Sequence, residues 1–377
     1  MASKNFNPDD LFQNWSDEKL SPTHSGKPLA QCIREAFGIP SSDTYVYRAQ
    51  AETTLDITQR AIAGKRSYGL HGWYHDEEGK PVDLLSDCVK LEPAHPSIDE
   101  IAAYTSLFDP SLNLPKALNG YKANAKANTL RSQISKHLDD RFLNTTNGLL
   151  PSKKPRTHIN PYLSLWTYSC YELEWAGPIP STTHTKIAHH ILPIYYHHFG
   201  CVVPSYAALH VIAKLAQPAK PSKEPVLPIL DVGSGNGYWT YMLRKFPISD
   251  ISGAKELDVR PIDNQLSEYR VSWVRDTIKS DGQAYLKQHD NGKGSILLLV
   301  YPQATGNFTG PIIKAFEGDT IIVAGTQNGN GFTGFQDQVV DQWVEQNVPA
   351  FALTLRMPLP SFAGKDEALF VFQRRKA

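Results

Sequence analysis

A glycine-rich segment between an apolar run and a helix-forming stretch carries the clearest chemical signal in the sequence. Residues 228–238 read PILDVGSGNGY, so Asp231 is followed at alternate positions by Gly233, Gly235 and Gly237. Glycine lets the backbone turn sharply and approach a ligand without a Cβ clash. A helix that begins directly afterwards adds unpaired N–H groups. The pattern therefore predicts a ligand-binding loop at the end of a strand.

The spacing and the charge of this loop separate two kinds of ligand. A dinucleotide site has the spacing GxGxxG and holds a pyrophosphate at the start of the helix, whereas the spacing here is GxGxG. A carboxylate at Asp231, two residues before the first glycine, would repel a pyrophosphate. It suits a ligand that carries an ammonium and a sulfonium group. A nicotinamide-dependent dehydrogenase is therefore the third choice among the functions considered.

The segment resembles the first motif of the class I (Rossmann-like) S-adenosylmethionine-dependent methyltransferases, which is D/E-x-G-x-G-x-G after an apolar strand. The resemblance covers roughly residues 200–377 and implies S-adenosyl-L-methionine as the cofactor. It implies an α/β fold with a doubly wound, seven-stranded, mostly parallel sheet whose last strand is antiparallel. In this interpretation Asp231 and the loop seat the methionine part of the cofactor; the loop residues are Gly233, Ser234, Gly235, Asn236 and Gly237.

The same resemblance implies binding residues after the second and third strands. An acidic residue at the end of the second strand binds the ribose hydroxyls, and Asp263, followed by Asn264, is the first choice, with Asp258 as the rival. A polar side chain after the third strand contacts the adenine amino group, and Asp276 with Thr277 fits this position. Turn carboxylates and helix caps are the alternative interpretation of both aspartates.

The fourth strand of the family ends beside the transferred methyl group, which here corresponds to Tyr301. The sequence continues with Pro302 and Gln303 and lacks the D/N-P-P-Y/F signature of enzymes that methylate amino groups of bases or of glutamine amide. Tyr301 is therefore expected to line the sulfonium or to hold the acceptor, with packing under the loop as the alternative.

Two adjacent histidines, His197 and His198, precede the methyltransferase-like region, where the family builds its lid and acceptor pocket. An unperturbed histidine has a pKa near neutrality and can accept a proton from the acceptor. His198, His197 and Tyr301 are accordingly the candidate catalytic residues; locally hydrogen-bonded histidines are the simpler alternative. No metal site is predicted, because no cysteine or acidic residue stands at ligand spacing.

The elements around these residues alternate between strand and helix in the C-terminal part. Apolar runs predict strands at 227–232, 257–262, 271–274, 295–301, 319–324, 351–357 and 368–372. A helix is predicted over 184–199, and Ser205 is placed to cap another over 206–216. The chain divides into a mainly helical accessory or cap region (1–150), a connector (151–183) and a cofactor-binding methyltransferase domain (184–377).

The composition of the chain restricts the class of methyl acceptor more than it restricts the type of reaction. The 377 residues carry 38 Lys and Arg against 38 Asp and Glu, and 41% are apolar. A neutral chain lacks the basic surface of a nucleic-acid binder, so a small molecule is the expected acceptor, a protein next and RNA last. The N-terminus lacks a secretory signal and no apolar run is long enough for a membrane span, so a cytoplasmic protein is expected.

The principal alternative is a protein that binds S-adenosyl-L-methionine without transferring a methyl group. Such a protein could be the structural partner of another enzyme or a domain repurposed for another reaction. The intact loop motif argues for binding and does not by itself establish turnover. Oligomeric state is left open by the sequence.

Overall fold

The computed structural model describes residues 6–49, 52–64, 96–180, 182, 190–220, 223–303, 308–328, 333, 335 and 338–375. Its first half is mainly helical, as the sequence predicts. The elements are α1 (Pro8–Asn14), α2 (Asp17–Leu20), α3 (Pro22–Ser25), α4 (Leu29–Phe37), β1 (Tyr47–Arg48), β2 (Glu52–Thr53), α5 (Leu55–Gly64), α6 (Ile98–Thr105), α7 (Leu114–Ala123), α8 (Leu130–Arg141), β3 (Leu143–Asn144) and α9 (Pro161–Glu172).

The second half alternates helices with the strands of the main sheet. Its elements are α10 (Ile191–Phe199), α11 (Tyr206–Ala216), β4 (Ile229–Val232), α12 (Tyr238–Arg244), β5 (Val259–Asp263), β6 (Ile278–Lys279), α13 (Gly282–Gln288), β7 (Ile296–Val300), α14 (Thr309–Ala315), β8 (Thr320–Thr326), α15 (Val340–Asn347), β9 (Phe351–Pro358) and β10 (Glu367–Arg374). Helix α11 has the predicted bounds, and the Ser205 side chain accepts from the Ala208 N–H. Of the predicted helix over 184–199, residues 184–189 lie outside the described part of the chain.

The main sheet has the strand order β3-β9-β10-β8-β7-β4-β5-β6. Strands β6, β5, β4, β7 and β8 are parallel, and β10 runs antiparallel between β8 and β9. The chain proceeds outward from β4 to β6 on one side and from β7 on the other. The order therefore reverses between β4 and β7, and open α/β sheets bind ligands at such a switch point, at the carboxyl ends of the strands.

The number of strands differs from the seven that were expected. An eighth strand, β3, comes from the helical half and pairs antiparallel with β9, with Leu143 opposite Arg356. The edge of a sheet leaves backbone N–H and C=O groups without partners. Strand β3 satisfies part of that edge, and a two-residue strand of this kind has no hydrophobic pattern by which the sequence could reveal it.

The predicted third strand at 271–274 is wrong. That stretch is irregular, and the third parallel strand is β6, seven residues further on. Val271, Trp273 and Val274 are apolar because they are buried in the core. The Trp273 indole N–H donates to the carbonyl of His198 at 2.6 Å, and this fixes the stretch against the end of α10.

Apolar side chains form a core on each face of the sheet, and one of these cores includes the N-terminal helices. The segment 151–183, predicted as a connector, contains α9. The indoles of Trp166 and Trp175 both donate to the carbonyl of Ser361, between β9 and β10, at 3.0 and 2.9 Å. The helical half therefore covers the β9–β10 connection. No helix in the described ranges is long and apolar enough to cross a bilayer.

Candidate functional site

A cavity of about 740 Å³ opens at the carboxyl ends of β4, β5 and β7, the switch point of the sheet. This volume lies within the range of small-molecule sites. Three strand-end segments contribute to its walls: the glycine loop at 233–236, residues 262–264 at the end of β5, and residues 300–303 at the end of β7. Residues 199–201, at the end of α10, form part of the remaining wall.

The backbone of the glycine loop is anchored to the neighbouring strand. The N–H groups of Gly233 and Ser234 donate to the Ile262 carbonyl at 2.7 and 3.2 Å. Gly235 has φ +58°, in the left-handed region that favours glycine. A Cβ on this residue would lie 2.6 Å from the Tyr269 hydroxyl, so the space as well as the backbone requires glycine.

Asp263 connects the glycine loop to the segment after β5. One carboxylate oxygen accepts from the Gly235 N–H at 3.0 Å, and the other accepts from the Gln265 N–H. Both Asp263 and Asn264 line the cavity, where a carboxylate oxygen retains lone pairs for a ligand hydroxyl. The rival Asp258 is not part of the wall and binds the Arg260 guanidinium.

Asp231 lies beneath the loop rather than in the cavity wall. It is 1% exposed, and the Thr240 hydroxyl donates to its Oδ2 at 2.6 Å. Burial raises the pKa of Asp231 to about 7. Its Oδ1 has no hydrogen-bond partner among the described residues. The same holds for two buried atoms of the loop itself, Ser234 Oγ and Asn236 Nδ2.

These three buried polar atoms test the fit of a cofactor at the site. Buried polar atoms in native proteins almost always have a partner, and here three without one lie within six residues, at the end of β4 and in the loop that follows it. A carboxylate oxygen, a hydroxyl and an amide N–H₂ are complementary to an ammonium and a carboxylate group. The loop therefore fits a polar, amino-acid-like ligand. The third glycine, Gly237, does not line the cavity and is the N-cap of α12.

Tyr301 lines the cavity directly after β7. Its φ is +50°, and its N–H donates to the Ala324 carbonyl on β8 at 2.7 Å. Its ring lies 6.4 Å from that of Tyr196 on α10. Burial raises the pKa of Tyr301 well above its ordinary value. The phenol is therefore neutral at physiological pH and can donate or accept a hydrogen bond.

The two candidate histidines do not line the cavity. His197 Nε2–H donates to the Arg48 carbonyl at 2.7 Å, so Nδ1 accepts from the Tyr45 hydroxyl at 2.9 Å. His198 is fully buried, and its Nε2 forms a hydrogen bond with Tyr47 at 3.1 Å. Burial lowers the pKa of both imidazoles. The histidines hold the β1 region of the chain against α10, and neither contacts the site.

The residues that follow these histidines line the cavity instead. Phe199, Gly200 and Cys201 contribute to its wall. The segment identified from the sequence is therefore adjacent to the site, but its wall residues are the ones that follow the histidines and not the histidines themselves. The sequence contains no signal that separates the wall residues from the two histidines, because the partners of the histidines come from β1 and its preceding loop, about 150 positions away.

Asp276 and Thr277 also lie outside the cavity wall. Asp276 is paired with Arg244 through two contacts of 2.9 and 2.8 Å, and this ion pair lowers the pKa of the carboxyl. Ser280 and Gly282, directly after β6, line the cavity in their place. The prediction for Asp276 depended on the misplaced third strand, because the residue expected to contact the cofactor was counted from the end of that predicted strand.

Further wall residues that were not singled out from the sequence include Leu266, Tyr269 and Phe308. Leu266 is 83% exposed. A single apolar residue in the polar stretch after β5 is not by itself a signal, because isolated exposed apolar side chains are common on protein surfaces.

Comparison of the sequence with models of known protein families and with curated proteins gives no match. Within the described ranges, no group of three or more His, Cys, Asp or Glu side chains is arranged to hold a metal ion. The interpretation of the cavity therefore depends on its own residues and on the position it occupies in the sheet.

Proposed function

We propose that the chain is an S-adenosyl-L-methionine-dependent methyltransferase that acts on an O, N or S nucleophile, with a small molecule as the acceptor. The observation that carries the proposal is the set of unpartnered polar atoms on and beneath the glycine loop, at the switch point of the sheet. The order of the strands, with five parallel strands and a final antiparallel pair, is compatible with the fold that the motif implies.

The residues of the loop would hold the cofactor through complementary charge. Ser234 and Asn236 offer hydrogen bonds to a carboxylate, Asp231 offers an oxygen to an ammonium, and Asp263 offers oxygens to ribose hydroxyls. The cofactor, when bound, supplies an electrophilic methyl group on a sulfonium. The chain itself must then orient the acceptor and exclude water, for which Tyr301 and the segment after α10 are available.

Binding without methyl transfer is the second candidate function. It is favoured by the position of His197 and His198, since neither imidazole lines the cavity and both are hydrogen-bonded to the β1 region. A protein or RNA acceptor is a further alternative within the methyltransferase interpretation. The neutral composition offers no support for a polyanionic partner.

Transfer of label separates these candidates. The purified chain is incubated with S-adenosyl-L-methionine labelled in the methyl group and with a cell extract that has been divided into small-molecule, protein and RNA fractions. The proposal predicts label in the small-molecule fraction. Label confined to protein or RNA would change the acceptor class, and cofactor binding without label in any fraction would support the non-methylating alternative.

A further inference from the structure

Residues 264–270, the strap, follow β5 and form one wall of the cavity. The strap contributes Asn264, Leu266, Ser267 and Tyr269 to that wall, and its residues 264–268 are exposed to solvent. It belongs to no helix or strand of the described chain. Because it has no regular backbone pairing of its own, its position depends on the contacts that hold its two ends.

Tyr269 brings a hydroxyl group to the glycine loop. A Cβ on Gly235 would lie 2.6 Å from this hydroxyl, so the phenol packs directly against the loop. The Gly235 N–H donates to Asp263 at 3.0 Å, and in the proposed function Asp263 binds the ribose hydroxyls. Burial raises the pKa of Tyr269, so the phenol keeps its proton at neutral pH. At this end of the cavity its hydroxyl is able to donate to a ligand oxygen or accept from a ligand hydroxyl.

The far end of the strap is held by the N-terminal half of the chain. The Arg270 guanidinium donates to Asp43 at 2.6 Å, and the two side chains are only 10% and 13% exposed. The same guanidinium lies over the ring of Tyr45, 4.6 Å from its centre. An arginine can form an ion pair and stack on an aromatic ring at the same time. Arg270 thereby fixes its neighbour Tyr269 relative to the segment before β1.

His197 joins these contacts into a closed circuit. Its carbonyl accepts from the Arg270 N–H at 2.9 Å, and its Nδ1 forms a hydrogen bond with the Tyr45 hydroxyl at 2.9 Å. The guanidinium over Tyr45 completes the circuit. Arg270 cannot move without breaking several of these contacts together. The strap therefore has a rigid support that comes from α10 and from the segment before β1.

We propose that the Tyr269 hydroxyl binds the ribose end of the cofactor, and that Arg270, paired with Asp43, is the residue that positions it. This inference rests on the proposed function. It gives the N-terminal half of the chain a part in cofactor binding, although none of the described residues of that half lines the cavity.

A double-mutant cycle tests the inference by calorimetric titration of the full chain with S-adenosylhomocysteine. Tyr269→Phe keeps the ring and removes the hydroxyl, and it should weaken binding about fivefold, within the range of one hydrogen bond. Asp43→Asn removes the charge that holds Arg270 and should weaken binding by about twofold to fivefold. The double variant should lose no more affinity than Tyr269→Phe alone, because the hydroxyl that the ion pair positions is already absent.

Asp341→Asn serves as the matched control. Asp341 binds the Arg356 guanidinium at 2.7 Å, and the arginine and aspartate side chains are 23% and 14% exposed. This ion pair has the same chemistry as the one at the strap, but neither residue lines the cavity. Asp341→Asn should lower the thermal unfolding midpoint and keep the wild-type affinity for S-adenosylhomocysteine. Loss of stability is thereby separated from loss of position.

Arg270→Lys takes the place of Asp43→Asn in the cycle should that variant not fold. It keeps the positive charge and removes the planar group that pairs with Asp43 and stacks on Tyr45. Its effect on the affinity for S-adenosylhomocysteine should likewise disappear when Tyr269 is already phenylalanine.

The outcomes separate this inference from the function on which it rests. Unchanged affinity for S-adenosylhomocysteine in Tyr269→Phe overturns the role of the hydroxyl and leaves the proposed function standing. Unchanged affinity in Asp43→Asn, or losses that multiply in the double variant, overturn the positioning role of Arg270. Failure of the wild-type chain to bind S-adenosylhomocysteine overturns both the inference and the proposed function.

Discussion

Replacement of Asp231 by asparagine should make the ligand-free protein more stable at neutral and alkaline pH. Burial raises the pKa of this carboxyl from 3.8 to about 7. Between these two values the folded protein retains a proton that the unfolded chain has released, so stability decreases as the pH rises. Asparagine does not titrate, so the variant does not lose stability in this way as the pH rises. Its oxygen can still accept from the Thr240 hydroxyl, the hydrogen bond seen at 2.6 Å.

The size of the effect follows from the pKa change. At about 1.36 kcal/mol per pKa unit, the rise in the pKa of Asp231 corresponds to about 4 kcal/mol, reached by about pH 8. Urea unfolding of wild type and of Asp231→Asn at intervals between pH 4 and pH 8 measures the difference. The two free energies of unfolding should diverge steadily as the pH rises. Parallel curves would refute the argument that this carboxyl is buried without adequate compensation.

The same variant distinguishes direct ligand contact from support of the loop. If a ligand ammonium pairs with Asp231, binding below pH 7 releases a proton from the carboxyl. The binding enthalpy of S-adenosylhomocysteine then depends on the ionisation enthalpy of the buffer. Thr240→Val, which removes the hydroxyl donor and keeps the carboxyl, should retain this buffer dependence; Asp231→Asn should lose it. Buffer-independent enthalpy in the wild type would leave Asp231 a supporting role only.

Three further predictions concern the residues of the site. Gly235→Ala should weaken S-adenosylhomocysteine binding about tenfold or more, because a side chain is disfavoured at the positive φ of residue 235 and would meet a tyrosine hydroxyl. Gly253 also has a positive φ but lies in open space, so Gly253→Ala should leave the affinity for this ligand unchanged. Asp263→Ala should cost about tenfold or more in the same titration, whereas Asp258→Ala should not, since only Asp263 lines the cavity; equal losses would contradict the assignment. His198→Phe should keep the wild-type affinity for S-adenosylhomocysteine. A large loss of affinity would show that His198 contributes to the site.

The sequence predicted the sheet well where its pattern was local. Strand β4 and helix α11 lie at the predicted positions because an apolar run before glycine and a serine cap are complete within a few residues. Strands β3 and β6 were missed, since two residues cannot show a period. Asp276, which was counted from the end of the predicted third strand, lies outside the cavity wall.

The candidate site could be located from the sequence only in part. The glycine loop follows β4 and Asp263 ends β5, so both lie in the cavity wall, and strand ends are predictable from the sequence. The contacts of His197 depend on residues distant in sequence. Its ring is held by Tyr45 and Arg48, about 150 positions away, and these partners become visible only when the packing around the histidine is known.

The central claim is that the cavity binds S-adenosyl-L-methionine, and calorimetric titration of the wild-type chain tests it most directly. The titrations use S-adenosyl-L-methionine, S-adenosylhomocysteine and NAD under the same conditions. The glycine spacing and the acidic residue before it predict binding of the first two ligands and none of NAD. Binding of NAD alone, or of none of the three, would contradict the account.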